Sequence, residues 1–81
     1  SSYSEFHMIN GTKVVSSKGL SVYEEALKNR LFVRVHKSYL INLNHIKKYQ
    51  RGRGGCVSMV NGMVIKVGDS KKDELLKYLM V

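Results

Sequence analysis

The sequence predicts a mostly-β domain with short helices, on three observations. Two Asn-Gly pairs, Asn10-Gly11 and Asn61-Gly62, each separate runs rich in apolar and β-branched residues. Asn-Gly is the strongest short hairpin signal, because a type I′ turn needs positive φ at both central positions. Strands joined by so short a turn are antiparallel. Helical periodicity, by contrast, is confined to two short stretches, one after Gly19 and one after Asp69.

Taken in order, the alternation around Phe6 and Met8 predicts a strand over 4–9, and Thr12 to Ser16 a second over 12–17. Ser21-Val22-Tyr23-Glu24 has the form of a capping box, in which the Ser hydroxyl and the Glu carboxylate each satisfy a free helical N–H. A helix over 22–29 follows, with Val22 and Ala26 on one apolar row and Tyr23 and Leu27 on the next. Leu31 to His36 is a strand by its β-branched and aromatic content. Residues 37–46 are apolar every third or fourth position but interrupted by Asn42 and Asn44, which predicts an irregular or briefly helical turn. Tyr39, Leu40, Ile41 and Ile46 are assigned to the core there, and Asn42 to side-chain bonding of the backbone. A strand over 46–50, a glycine-rich turn, and strands around Val57–Val60 and Met63–Val67 come next. The last helix is predicted with Ser70 as its cap, Asp73 and Glu74 in its first turn, and Leu75, Leu76, Leu79 and Met80 as its buried stripe.

The chain of 81 residues suits one small domain over 1–81. No apolar run approaches the length that spans a bilayer, so no membrane partner is expected. Cys56 is the sole cysteine, which excludes an internal disulfide and fits a reducing, cytoplasmic setting. His7, His36 and His45 lack zinc-ligand spacing, and no carboxylate pair stands mid-chain for acid–base work. Neither catalysis nor a cofactor is expected.

Charge is the strongest bulk signal. Fourteen Lys and Arg against six Asp and Glu give a net charge of +8. No acid occurs between Glu25 and Asp69, a stretch holding Lys28, Arg30, Arg34, Lys37, Lys47, Lys48, Arg51, Arg53 and Lys66. So many cations without an acid among them create a positive field, and nucleic acid is the commonest partner for one. The Arg51-Gly52-Arg53-Gly54-Gly55 loop lacks the Lys-Ser/Thr and helix of a P-loop. It reads either as a phosphate cradle or as a solvated hairpin.

The run Phe32-x-Arg34-Val35-His36-Lys37-Ser38-Tyr39-Leu40-Ile41-Asn42-Leu43-x-His45-Ile46 resembles the signature of LytTR DNA-binding domains of bacterial response regulators, and follows no simple period. Gly55, Val57, Met59, Asn61-Gly62, Ile65 and Val67 continue the resemblance, which covers about residues 3–80. It implies antiparallel strands in small packed sheets, with an N-terminal strand of the family expected to be missing here. It also implies loops entering adjacent major grooves of double-stranded DNA, a receiver domain ahead of this one, and dimers on tandem promoter repeats. Three contact clusters carry over: Tyr3 and Ser4; His36, Lys37 and Ser38; and Ser70, Lys71 and Lys72. Lys37 is the foremost candidate, since its ammonium can donate to a guanine edge or a phosphate, while His36 reads equally as a contact or a hydrogen-bonded scaffold residue. Arg34, Lys47, Lys48, Arg51, Arg53 and Lys66 are expected to supply supporting electrostatics. Where many family members carry Ser-Arg, this chain has Gly68-Asp69, and a carboxylate there is repelled by the DNA backbone. An RNA-binding or protein-interaction module with degenerate DNA contacts is the alternative.

Overall fold

The computed structural model of the chain describes residues 3–52 and 54–79. Strands β1 (Ser4–His7) and β2 (Lys13–Ser16) form one antiparallel hairpin, and helix α1 (Leu20–Leu27) follows. Strands β3 (Phe32–His36) and β4 (Tyr39–Asn42) form a second hairpin, and a 3₁₀ turn at Leu43–His45 leads on. Strands β5 (Ile46–Gln50), β6 (Cys56–Met59) and β7 (Val64–Lys66) form an antiparallel sheet in that order. A second 3₁₀ turn, Asp69–Lys71, runs into helix α2 (Lys72–Leu79). The mostly-β class and the small antiparallel sheets are as the sequence predicts.

Both Asn-Gly turns are present, but in another form. At the first, Gly11 N–H donates to the Met8 carbonyl at 3.0 Å and Met8 N–H to the Thr12 carbonyl at 2.9 Å. Gly62 N–H to Met59 and Met59 N–H to Met63 repeat the pattern at 2.9 and 2.8 Å. Only the glycine of each pair has positive φ, +90° and +92°. The asparagine is held instead by its own side chain, which accepts from the N–H two residues on, at 3.0 Å in both turns. These are four-residue turns closed by a bulged glycine rather than type I′ turns, so β1 and β2 are shorter than expected.

Helix α1 also departs from its prediction. It starts at Leu20 with Gly19 as its N-cap and no side-chain capping bond. Glu24 does not reach back to Ser21, because Arg34 of β3 holds its carboxylate at 2.8 Å. The inward row is Leu20, Tyr23 and Leu27, all half-buried, while Val22 and Ala26 are exposed. Tyr23 sets this rotation: its ring stands edge-on to Phe6 of β1 at 4.9 Å, and its hydroxyl bonds Ser16 of β2.

The 37–46 segment is more regular than its spacing suggests. β4 pairs with β3 through Phe32–Asn42, Val33–Ile41, Arg34–Leu40 and His36–Tyr39, with Val35 bulged between the last two. Pleated pairing points Ile41 into the core while Leu40 is half-buried and Tyr39 exposed. Ile46 packs at the core edge, and Asn42 accepts from Asn44 N–H at 2.9 Å. Leu31 lies outside β3, 49% exposed and at φ +62°, a left-handed conformation unusual for a branched side chain. The core comprises Val33, Val35, Ile41, Val57, Met59, Ile65, Val67 and Leu75. Of the predicted α2 stripe, Leu75 is fully buried, Leu76 half-buried and Leu79 exposed, while Met80 lies outside the described residues. Ser70 sits within the 3₁₀ turn rather than capping α2.

Candidate nucleic-acid interface

The turn between β3 and β4 is built around Arg34. Its Nε donates to the His36 carbonyl at 3.0 Å, one terminal nitrogen donates to Glu24 at 2.8 Å, and the other donates to the Lys37 carbonyl. The side chain is only 18% exposed. Arg34, expected to supply supporting electrostatics, is engaged within the turn as a strut; a planar guanidinium serves three acceptors at once where an ammonium could not hold the same fork. Ser38 N–H donates to His36 Nδ1 at 3.1 Å, which leaves the other ring nitrogen as the donor, and the His36 ring tilts against Tyr39 at 5.6 Å. With its main chain held by these bonds, the turn presents Lys37 and Ser38 to solvent, both exposed.

Residues 68–72 come to the same place. Gly68 N–H donates to the Val35 carbonyl at 2.7 Å. A side chain on Gly68 would stand 3.6 Å from that carbonyl and 3.9 Å from the His36 Cα, so the two segments pass in contact. Asp69, Ser70 and Lys71 follow immediately, the first two exposed and Lys71 half-buried. Lys72 pairs with Asp69 at 3.1 Å and reaches toward Gly55. The Tyr49 hydroxyl lies 2.9 Å from where a Gly55 Cβ would stand, so no larger residue fits there without a shift. Lys66 packs along Gly54, and Val67 N–H donates to the Gly55 carbonyl at 3.2 Å. One end of the molecule thus gathers the 36–38 turn, the 68–72 segment and the loop after β5.

The remaining predicted positions fall around this end or away from it. Tyr3 is exposed at the head of β1, and Ser4 beside it is 4% exposed with a hydroxyl that has no hydrogen-bond partner among the described residues. An open cleft lined by Tyr3, Ser4, Phe6, Lys37, Ser38 and Tyr39, among others, brings the first and second clusters to a common border. Arg51 is exposed at the end of β5, and Arg53 lies outside the described residues. Lys47 and Lys48 are exposed along β5 itself.

The cations are not all uncompensated. Lys28 pairs with Glu25 at 2.9 Å and Arg34 with Glu24, acids that stand just before the acid-free stretch. Arg30, Lys37, Lys47, Lys48, Arg51 and Lys66 have no ion pair among the described residues. The Arg34–Glu24 strut and the Gly68 clamp were missed from sequence. Glu24 and Arg34 stand ten residues apart on different elements, a separation that carries no local signal of their meeting.

Among the described residues no three His, Cys, Asp or Glu side chains are grouped to hold a metal, and no helix is long and apolar enough to cross a membrane. A model of the LytTr DNA-binding domain family matches residues 1–80. The transcriptional regulatory protein LytR of Staphylococcus aureus, in strains COL and MW2, is 37% identical over 60 residues, 72% of this chain. Those residues are 24% of the relative, so the chain spans about a quarter of the curated proteins it matches. No solved structure matches the chain.

Proposed function

The chain belongs to the LytTr DNA-binding domain family, and on that premise we propose that it binds duplex DNA sequence-specifically through its basic end, as the output domain of a bacterial transcriptional regulator. The observation that carries this reading is the Gly68–Val35 hydrogen bond, which sets the exposed Lys37–Ser38 turn beside the 68–72 segment. A β-turn and a 3₁₀ turn held side by side on a positive surface suit insertion into the major groove by short turns rather than by a recognition helix. Lys37 donates to a guanine edge, Ser38 and His36 position it, and Ser70, Lys71 and Lys72 meet the adjoining backbone. Tyr3 and Ser4 border the contact. Lys66, Arg51, Arg53, Lys47 and Lys48 supply the salt-dependent background.

In the same reading residues 1–81 act as a single non-catalytic domain in the cytoplasm. It works behind a receiver domain in the intact regulator and pairs with a second copy on tandem promoter repeats. Fluorescence anisotropy with duplex DNA over a salt series tests it. Binding is expected with log affinity falling by about 0.9 per phosphate neutralised for each unit of log salt. On a selected site, Lys37→Ala is expected to cost about 1–3 kcal/mol and to relax the base preference at one position. Undetectable binding at low salt would sink the proposal.

A further inference from the structure

Asp69 is the residue of this end that simple charge attraction does not explain. It follows directly on Gly68, whose N–H is fixed to Val35, and Lys37 follows directly on His36, whose Cα that segment touches. Asp69 and Lys37 therefore project from adjoining backbone. The Asp69 side chain is 92% exposed, and Lys72 holds Oδ1 at 3.1 Å. That pairing sets a positive charge beside the carboxylate and leaves most of its surface open to a partner.

Against duplex DNA an exposed carboxylate has few favourable partners. Phosphates repel it, and guanine and thymine present acceptors to the major groove. Adenine offers its amino group, but with the N7 acceptor beside it. Cytosine presents its amino donor with an acceptor on one side only, the O6 of its paired guanine, whereas the adenine amino group stands between two acceptors, its own N7 and thymine O4. We infer that Asp69 is a specificity-determining residue that accepts a hydrogen bond from the N4 amino group of a cytosine next to the base read by Lys37, and disfavours the other bases there. This rests on the DNA-binding reading. Lys72 acts in it as a positioning residue, screening the carboxylate from neighbouring phosphates and holding it in the groove.

The test is selection of bound sequences from a randomised duplex pool, with parallel affinity measurements, on the wild-type chain, Asp69→Ala, Asp69→Asn and Asp73→Ala. Wild type is expected to prefer cytosine at one position by about tenfold. Asp69→Ala should lose that preference while binding the pool more tightly. Asp69→Asn should move it toward adenine, since a carboxamide matches adenine's donor and acceptor together. Asp73→Ala removes the same charge from the first turn of α2 and should leave the base profile unchanged. A uniform rise in affinity for Asp69→Ala with an unaltered profile would make Asp69 an electrostatic brake and overturn the inference, as would a like change of profile in Asp73→Ala. A wild type that binds no duplex at low salt removes the DNA-binding reading itself, an outcome distinct from binding with an unaltered profile.

Discussion

Arg34 holds three acceptors with one guanidinium: the Glu24 carboxylate and the carbonyls of His36 and Lys37. Lys37 consequently leaves the protein from a main chain that is already fixed. Arg34→Lys keeps the charge but cannot serve the three acceptors together. It is expected to lower stability by about 1–2 kcal/mol in urea unfolding, and to weaken DNA binding while leaving the salt slope unchanged. A reduced slope would instead mean that Arg34 itself meets a phosphate. Residue roles of this sort were the least legible part of the sequence. Lys37 drew notice through the signature run it belongs to, and Asn42 was recognisable because asparagine habitually bonds nearby backbone, as it does with Asn44 N–H. Arg34 looked like one more cation, since nothing in local spacing says that an acid ten positions earlier will face it. Leu31 was placed in the strand by its side chain, while its backbone takes a left-handed φ of +62°.

Elements were legible where local chemistry decides them. Asn10-Gly11 and Asn61-Gly62 turn the chain because glycine accepts positive φ and asparagine bonds two residues on, and the two hairpins share one geometry despite unlike flanks. Elements were misjudged where a distant partner intervenes. The Ser21–Glu24 capping box is sound as a pattern, but Arg34 takes Glu24 and the helix begins one residue before Ser21. Ser21→Ala is accordingly expected to change stability by less than about 0.5 kcal/mol in thermal or urea unfolding, against about 1 kcal/mol for removal of a working cap. A loss of the larger size would restore the capping box. The 37–46 segment reads as irregular because β4 runs from an exposed Tyr39 through half-buried Leu40 and buried Ile41 to half-buried Asn42, so its apolar residues never show a clean alternation.

At the scale of the whole molecule, the sequence showed that positive charge is abundant but not where it collects. Pairing of β3 with β4, and of β6 with both β5 and β7, brings the 36–38 turn, the loop after β5 and the 68–72 segment to one end. Chain order separates these by up to thirty-odd residues, and sheet connectivity together with the Gly68–Val35 hydrogen bond joins them. The same arrangement sorts the cations by consequence. Lys28, paired with Glu25 at the end of α1, should contribute little to DNA binding, so Lys28→Gln should leave the salt slope unchanged. Lys66, without an ion pair among the described residues and laid along Gly54, should lower it by about 0.9 when changed to Gln. Equal slopes for the two variants would show that net charge, rather than its placement, governs binding. The Gly68–Val35 hydrogen bond carries this furthest. In the DNA-binding reading it makes the two reading loops the fixed jaws of a caliper rather than independent fingers. Neither jaw can slide to follow a base pair inserted between its target and the other's, and each added pair also swings the second target by about a tenth of a turn around the duplex. The protein then recognises a distance along DNA as strictly as it recognises the bases at either end of it.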